Sequence, residues 1–320
     1  MKIGLYDISG LLHYIRTSKD DNKLFGKSIL KEFTFLKNKL NLDMVIPIQD
    51  FGQSSYRKEI YPEYKEGDRG KQKAKKKTKK EEEKFQEMRL WNKNLSLFSD
   101  YFPVVKVWQV EADDLIGIIG TRLKQEGYDV VAITADKDII TTNLPVYNWQ
   151  KDKMMTLDDT HGLTSKKFLA LQALMGDNID NIKGVCGIKT ALLLLEKFKK
   201  IKTMREVDTE LLLPENKLEF SERYPEIPTR NRHYVMKALR DIQSEEGYNK
   251  LKLNRNLVNI MKDTSSLTPK QEAQTEEAYQ SILDWQAPTE FLPSDDLEEF
   301  LMEHEPSCIK DLQDYFNYSL

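Results

Sequence analysis

The chain has 320 residues, 39% of them hydrophobic, enough to bury a sizeable core in one large domain or two ordinary ones. The opening "MKIGLYDISG" lacks the apolar run of a signal peptide, "ALLLL" (191–195) is far too short to cross a bilayer, and Cys186 and Cys308 are too few and too distant for a disulfide framework or a zinc site. The net charge of −3 conceals a segregation: residues 65–80 hold nine Lys/Arg against two acids, residues 271–320 hold thirteen Asp/Glu against one Lys, and residues 1–270 carry +9, a basic body suited to a polyanion.

In chain order, "KIGLYDIS" (2–9) and "DMVIPIQD" (43–50) read as strands, and "SILKEFTFLKNKL" (28–40) between them has helical spacing. The lysine-rich "GDRGKQKAKKKTKKEEEKF" (67–85) runs into a second helical pattern, "EEEKFQEMRLWNKNLSLF" (81–98), in which Phe85 and Trp91 read as core aromatics before stacking platforms. "PVVKVWQV" (103–110), "YDVVAITAD" (128–136) and "LPVYNWQ" (144–150) read as strands, with "DDLIGIIGTRLKQEG" (113–127) as a helix. The alternation predicts an α/β fold over 1–164, a mainly parallel central sheet flanked by helices. "SKKFLALQALMGDNIDNIKGVCGIKTALLLLEKFKK" (165–200) predicts two helices joined by a glycine turn, opening a helical domain expected over 165–320. "DDLEEFLMEHEPSCIKDLQDYF" (295–316) has helical spacing and is expected to pack back on that helical domain, behind a solvated acidic stretch.

Carboxylates recur where strands end. Asp7 lies near the end of the first strand, Asp50 ends the second, Glu111 follows the third with Asp113 and Asp114 beside it, and Asp136 ends the fourth with Asp138 two residues on. Ligands of parallel sheets bind beyond these strand ends. A single acid there is ordinary turn or cap chemistry. Four in succession, with doublets at two, are not independent caps. Keeping all of them protonated at pH 7 needs large upward shifts, so shared divalent cations are the simpler remedy. Oxygen-only ligands select Mg2+ or Mn2+ over Zn2+. Further on, "GDNIDN" carries Asp177 and Asp180, and a glycine turn with free backbone N–H groups can hold a phosphate, as in a helix-hairpin-helix that grips duplex backbone; an ordinary helix corner fits the same residues.

"YDISG", "QDFGQSSYRKEIYPEYKEGDR" (49–69), "VEADDLIG" (110–117), "ITADKD" (133–138) and "ALMGDNIDNIKGVCGI" (173–188) resemble, in order and spacing, the 5′ nuclease family of phage 5′-3′ exonucleases, the 5′ nuclease domain of bacterial DNA polymerase I and flap endonucleases. The resemblance runs from Asp7 to about Ile260. It implies a PIN-like core over 1–164 with a basic helical arch at about 56–100, and a helix-hairpin-helix DNA-binding domain over 165–320. It implies that Asp7, Asp50, Glu111 and Asp113, with Asp114 close by, surround one Mg2+ (or Mn2+), and that Asp136, Asp138, Asp177 and Asp180 surround a second, partly through water. Lys65 and Arg69 match the family's catalytic basic pair at the foot of the arch, and Tyr64 an aromatic position where an unpaired base stacks. Arg57 matches a recurrent basic position, for which phosphate contact and a structural ion pair fit equally. Lys75, Lys76 and Lys77 would guide a single strand, a solvated loop being the alternative for the same composition. Gly184, Gly187 and Lys189 match the DNA-binding hairpin, where some relatives hold a monovalent cation.

Two departures qualify the match. "YKEGDR" places one extra residue between Lys65 and Arg69, and "GVCGIKTA" (184–191) is two residues short of the family hairpin. The implied function is a structure-specific 5′-3′ exonuclease or flap endonuclease of replication or repair, acting on DNA with a 5′ flap, nick or single-stranded 5′ arm, or on RNA–DNA hybrid at primers. No polymerase domain follows, so a free-standing, phage-type form in a bacterial or phage-infected host cytoplasm is expected, with no membrane association and with the acidic C-terminus as a dock for replication proteins. Two other readings stay open: an RNA-directed PIN-type nuclease, which the hairpin counts against, and a non-catalytic branched-DNA-binding protein, which the full set of nine acids counts against.

Overall fold

A computed structural model describes residues 1–17, 25–66, 78–286 and 293–317. In chain order its elements begin β1 (Lys2–Asp7), α1 (Ile8–Thr17), α2 (Phe25–Leu40), β2 (Met44–Gln49), α3 (Ser55–Ile60), α4 (Lys79–Asn94), β3 (Val105–Lys106), α5 (Ala112–Gln125), β4 (Asp129–Ile133), β5 (Val146–Asn148) and β6 (Lys153–Met154). They continue as α6 (Ser165–Met175), β7 (Gly176–Asp177), β8 (Ile182–Lys183), α7 (Ile188–Phe198), α8 (Ile201–Arg205), α9 (Lys217–Arg223), α10 (Thr229–Gln243), α11 (Glu245–Val258), α12 (Pro269–Asp284), α13 (Asp295–His304) and α14 (Cys308–Asn317). These divide into two units, one from Met1–Ser55, Lys76–Met155 and Ile260–Leu320, the other from Tyr56–Lys75 and Thr156–Asn259. Among the described residues no helix is long and apolar enough to cross a membrane.

The first unit is built on a sheet of order β3-β2-β1-β4-β5-β6, parallel except for the β5–β6 pair. Side chains alternate between its faces as a two-residue period requires. Ile3, Leu5, Val130 and Ala132 enter the core shared with α5 and α12, while Tyr6, Val131 and Ile133 enter the core shared with α1, α2 and α4. β2 is buried throughout, which matches a strand covered on both faces. Its Pro47 pairs with Tyr6 of β1, but β3 meets only Ile48 and Gln49, so the proline lies where β2 is still an edge on that side. The strands expected at 2–9 and 103–110 are shorter than their apolar runs. β1 stops at Asp7 because Ile8, Leu11, Leu12 and Ile15 bury one face of a helix. β3 is cut off by a turn in which Gln109, at φ 59°, donates its N–H to Phe51 O at 2.7 Å.

The chain after Asn259 returns to this unit, so the helical domain expected over 165–320 extends only to Asn259 and the tail belongs with the α/β core. Two contacts explain the return. Gly117 of α5 has its missing Cβ position 2.1 Å from Met261 O, an approach that any side chain would block. At the other end, buried Glu305 accepts from the N–H groups of Gly26 and Lys27, both at 2.8 Å, and so caps the N-terminus of α2. Cys308 packs beside Gly26 in the same core as Trp91.

In the second unit α6 to α11 enclose a separate core that includes Phe168, Leu194, Phe220 and Leu239. Between α6 and α7 the expected glycine turn contains a short antiparallel ribbon, β7–β8, pairing Gly176 with Lys183 and Asp177 with Ile182. The two glycines of the expected hairpin differ. A Cβ on Gly184 would lie 1.9 Å from Met175 O, whereas one on Gly187, at the N-cap of α7, would meet nothing within 4 Å. Gly184→Ala is therefore expected to destabilise the protein by about 2 kcal/mol or more, and Gly187→Ala by about 1 kcal/mol or less, as read by urea melts of the purified variants.

Candidate metal centre

The acids of the first unit are set by neighbouring strand ends. β1 pairs with β2 on one side and β4 on the other, so Asp7 lies between the chain ends that carry Asp50 and Asp136. Asp7 is half-buried. Burial, then the charge of Asp50, then that of Asp136, raise its carboxyl from 3.8 to about 7, against the lowering effect of hydrogen bonds from Thr134 and the Gly10 N–H.

Local hydrogen bonds orient the cluster. Thr134 donates its hydroxyl to Asp7 Oδ2 at 3.1 Å and accepts the Asp136 N–H on the same oxygen at 3.1 Å, tying two acids through one side chain. Asp50 Oδ1 accepts from Ala112 N at 2.8 Å, so the Asp50 carboxylate faces the positive end of α5, and the Asp50 N–H donates to Ser9 Oγ at 3.2 Å. Glu111 stands at the N-cap of α5, yet its side chain makes no capping bond. Ligand oxygens of Glu111, Asp113 and Asp114 lie within 4.8 Å of one another. Asp114 is fully buried and accepts the Met261 N–H on Oδ1 at 3.0 Å, and Asp113 Oδ1 accepts from Asp114 N at 2.7 Å. Asp136 accepts the Asp138 N–H at 2.8 Å, so it is both an N-cap and a member of the cluster. The donors are all carboxylate oxygens, and their repulsion is visible in Asp7: this set fits a hard divalent cation.

Asp177 and Asp180 belong to the second unit. Asp177 Oδ1 accepts from Ile179 N at 2.7 Å, and the loop is clipped to residues 61–65: Tyr61 Oη donates to Asn181 O, Asn181 Nδ2 to Glu63 O, Tyr64 Oη to Asp180 Oδ2 and Lys65 N to Asp180 O, all at 3.0–3.1 Å. Lys65 adopts φ 60°, a left-handed conformation unusual for a long side chain, and holds its ammonium 5.2 Å from the Tyr64 ring centre.

Two expected DNA contacts take other roles. Arg57 is 2% exposed and donates from Nε to Leu257 O at 2.8 Å and from Nη2 to Asn259 O at 3.3 Å, so its guanidinium closes the C-terminus of α11 and is not presented to a phosphate. Tyr64 is equally buried, between Ile182 and Leu257, and has no open ring face for a base. Gly187 and Lys189 are exposed at the start of α7, whose first turn has no side-chain cap; Gly184 is a packing glycine. Arg69, Lys75, Lys76 and Lys77 lie outside the described residues. Of the arch expected at about 56–100, residues 56–66 group with the second unit, and α4, which buries Trp91, groups with the first. Thr134, which joins Asp7 to Asp136, was not among the expected site residues; its place two residues before the acid in "ITADKD" is the one sequence signal for it.

Comparison with known proteins gives one picture. The family described as 5′-3′ exonuclease, N-terminal resolvase-like domain, matches residues 17–169. A 5′-3′ exonuclease of Buchnera aphidicola subsp. Schizaphis graminum is 45% identical over 103 residues, 30% of this chain and 36% of the relative. DNA polymerase I of Rhizobium leguminosarum is 30% identical over 172 residues, 51% of this chain and 16% of the relative. The alignments thus span about a third or less of these relatives' own length. Among solved structures, a bacteriophage T5 flap endonuclease in complex with DNA and metal ions has a similar fold, with TM-score 0.64 over 99% of this chain and 100% of that one, at 20% identity.

The raised Asp7 carboxyl fixes a pH dependence. It binds a proton more tightly folded than unfolded, so its contribution to the stability of chelator-treated protein is complete below pH 4 and is lost as pH rises through about 7. Asp7→Asn is expected to raise the melting temperature in EDTA by a few degrees at pH 8 and by little at pH 5. Equal shifts at both pH values, read by calorimetry, would contradict the crowding of Asp7 by its neighbours.

Proposed function

We infer, from the match of residues 17–169 to the 5′-3′ exonuclease N-terminal domain and from the 5′-3′ exonuclease and DNA polymerase I relatives, that the chain is a 5′ nuclease that hydrolyses phosphodiesters of DNA as a structure-specific 5′-3′ exonuclease and flap endonuclease dependent on two divalent cations. The observation that carries this reading is the gathering of Asp7, Asp50 and Asp136 on three adjoining strand ends, with ligand oxygens of Glu111, Asp113 and Asp114 within 4.8 Å of one another. Mg2+ or Mn2+ would suit such a donor set and would supply the Lewis acidity that an in-line phosphodiester displacement needs.

The protein's share is placement. Asp7, Asp50, Glu111 and Asp113, with Asp114 close by, would hold one cation, and Asp136 and Asp138 a second, to which the family resemblance also assigns Asp177 and Asp180. Thr134 ties the Asp7 carboxylate to the backbone of Asp136, the Asp138 N–H restricts the Asp136 carboxylate and the Ala112 N–H that of Asp50, so these acids are oriented before any ligand arrives. Lys65 supplies positive charge for a phosphate in flight, a role shared with Arg69 in the family pattern. The uncapped first turn of α7, with Lys189, suits a duplex phosphate, and a monovalent cation there is part of the same reading. The lysines at 75–77 suit a single-stranded 5′ arm. Substrates on this reading are 5′ flaps, nicks and RNA–DNA primers in a bacterial or phage-infected cytoplasm, with replication proteins as candidate partners for the acidic tail. A binding-only protein is disfavoured, because every one of the nine acids is in place.

Asp136→Asn is expected to lower divalent-dependent cleavage of a 5′-labelled flap by about 100-fold or more while DNA affinity in EDTA changes little. Undiminished turnover sinks the assignment. Replacing Lys75, Lys76 and Lys77 together by Gln should weaken binding to a single-stranded 5′ arm and reduce the slope of log affinity against log salt by about 2. An unchanged slope in a fluorescence-anisotropy titration returns that stretch to a solvated loop.

A further inference from the structure

A cleft of about 490 Å3 opens on the first unit where the end of β2, the edge strand β3 and α4 meet, bordered on one side by Asp50. Its volume is within the roughly 300–1,000 Å3 of small-ligand pockets. Nothing in the cleavage chemistry uses its other walls. Arg89 and Lys93, one turn apart on α4, and Lys106 on β3 bring three cations to it. Lys106 is half-buried and reaches Ser96 Oγ at 3.2 Å; burial lowers its hold on its proton, and no neighbouring carboxylate among the described residues offsets that. At the mouth Phe51 is 41% exposed, braced edge-on by Trp108 at 4.9 Å and lying 5.7 Å from the Lys106 ammonium. At the back Gln49 is 1% exposed, and its Nε2 donates to Asn92 O at 2.8 Å, while its Oε1 is buried without a hydrogen-bond partner among the described residues.

Three features thus converge on one ligand chemistry. Three cations against the single carboxylate of Asp50 call for an anion of more than one charge. An exposed, braced ring calls for a flat partner. A buried amide oxygen lacking a donor calls for an N–H. A sulfate or phosphate satisfies only the first, and an apolar peptide only the second.

We propose that this cleft is a nucleotide site: it takes one nucleoside monophosphate unit, with the base against Phe51 and within reach of Gln49, and the phosphate held by Lys106, Lys93 and Arg89. The occupant is either a released mononucleotide or one nucleotide of a single strand, and the two share this chemistry. The site deepens the nuclease reading, since either occupant belongs to such an enzyme's substrate or product, but its chemistry requires no divalent cation.

The test uses the full chain in EDTA, which stops cleavage. Isothermal titration with dTMP, dAMP and a short single-stranded oligonucleotide is run on wild type, Phe51→Ala and Arg89→Ala, both at exposed positions, and on Lys106→Met, with melting curves to verify folding. The expected result is saturable mononucleotide binding in wild type whose Kd rises at least about fivefold in Phe51→Ala. Weaker oligonucleotide binding in the same variants assigns the site to a strand; unchanged oligonucleotide binding assigns it to the free nucleotide. The proposal is overturned if wild type binds no nucleotide of either kind, if folded variants bind as wild type does, or if inorganic phosphate displaces dTMP as well as dAMP does. Cleavage without nucleotide binding removes the cleft alone, and nucleotide binding without divalent-dependent cleavage removes the nuclease reading alone.

Discussion

Like charges brought together are the constraint around which the first unit is arranged. Parallel strands all end on the same edge, so a sequence that places an acid after each strand gathers those acids whether or not they repel. Asp7 records the cost as a carboxyl that ionises only near neutrality. The surrounding structure limits that cost with a hydroxyl from Thr134, backbone donors from Gly10 and Ala112, and the positive end of α5. Buried apolar side chains on both faces of the sheet keep the arrangement from relaxing. A cluster held against its own repulsion is preorganised for cations, the property that metal-assisted phosphodiester chemistry needs.

The second unit handles its acids differently. Asp177 and Asp180 sit in a loop that four hydrogen bonds hold to residues 61–65. The clip fixes Lys65 and Asp180 as one rigid piece, and the left-handed backbone at Lys65 is the strain that this rigidity sustains. Tyr64 contributes here as a brace, its hydroxyl on Asp180 and its ring against Ile182 and Leu257.

Much of this was legible in the sequence. Apolar runs such as "MVIPI" and "VVAI" marked strands, and the acids after them marked the edge where a ligand binds. What escaped was what tertiary contact decides. β3 spans two residues of the eight expected to form a strand because the backbone turns at Gln109. α1 begins directly after Asp7, where strand and helix periodicities overlap. Arg57 and Tyr64 carry side chains suited to nucleic acid, and only the fold reveals that carbonyls of 257 and 259 and the carboxylate of Asp180 consume them. The tail has helical spacing that fits either unit; Glu305 on α2 and the approach of Met261 to Gly117 settle its place.

That placement bears on how the protein is made. Residues 260–320 complete a core whose first strand is at residue 2, so the amino-terminal segments leave the ribosome long before the pieces that finish them. Until Met261 emerges, Asp114 is without its backbone donor, and until Glu305 emerges, the start of α2 is without its cap. A nascent or prematurely terminated chain therefore lacks a finished carboxylate cluster. Synthesis from the amino terminus thus leaves the carboxylate edge without its last backbone donor until residue 261 has been made.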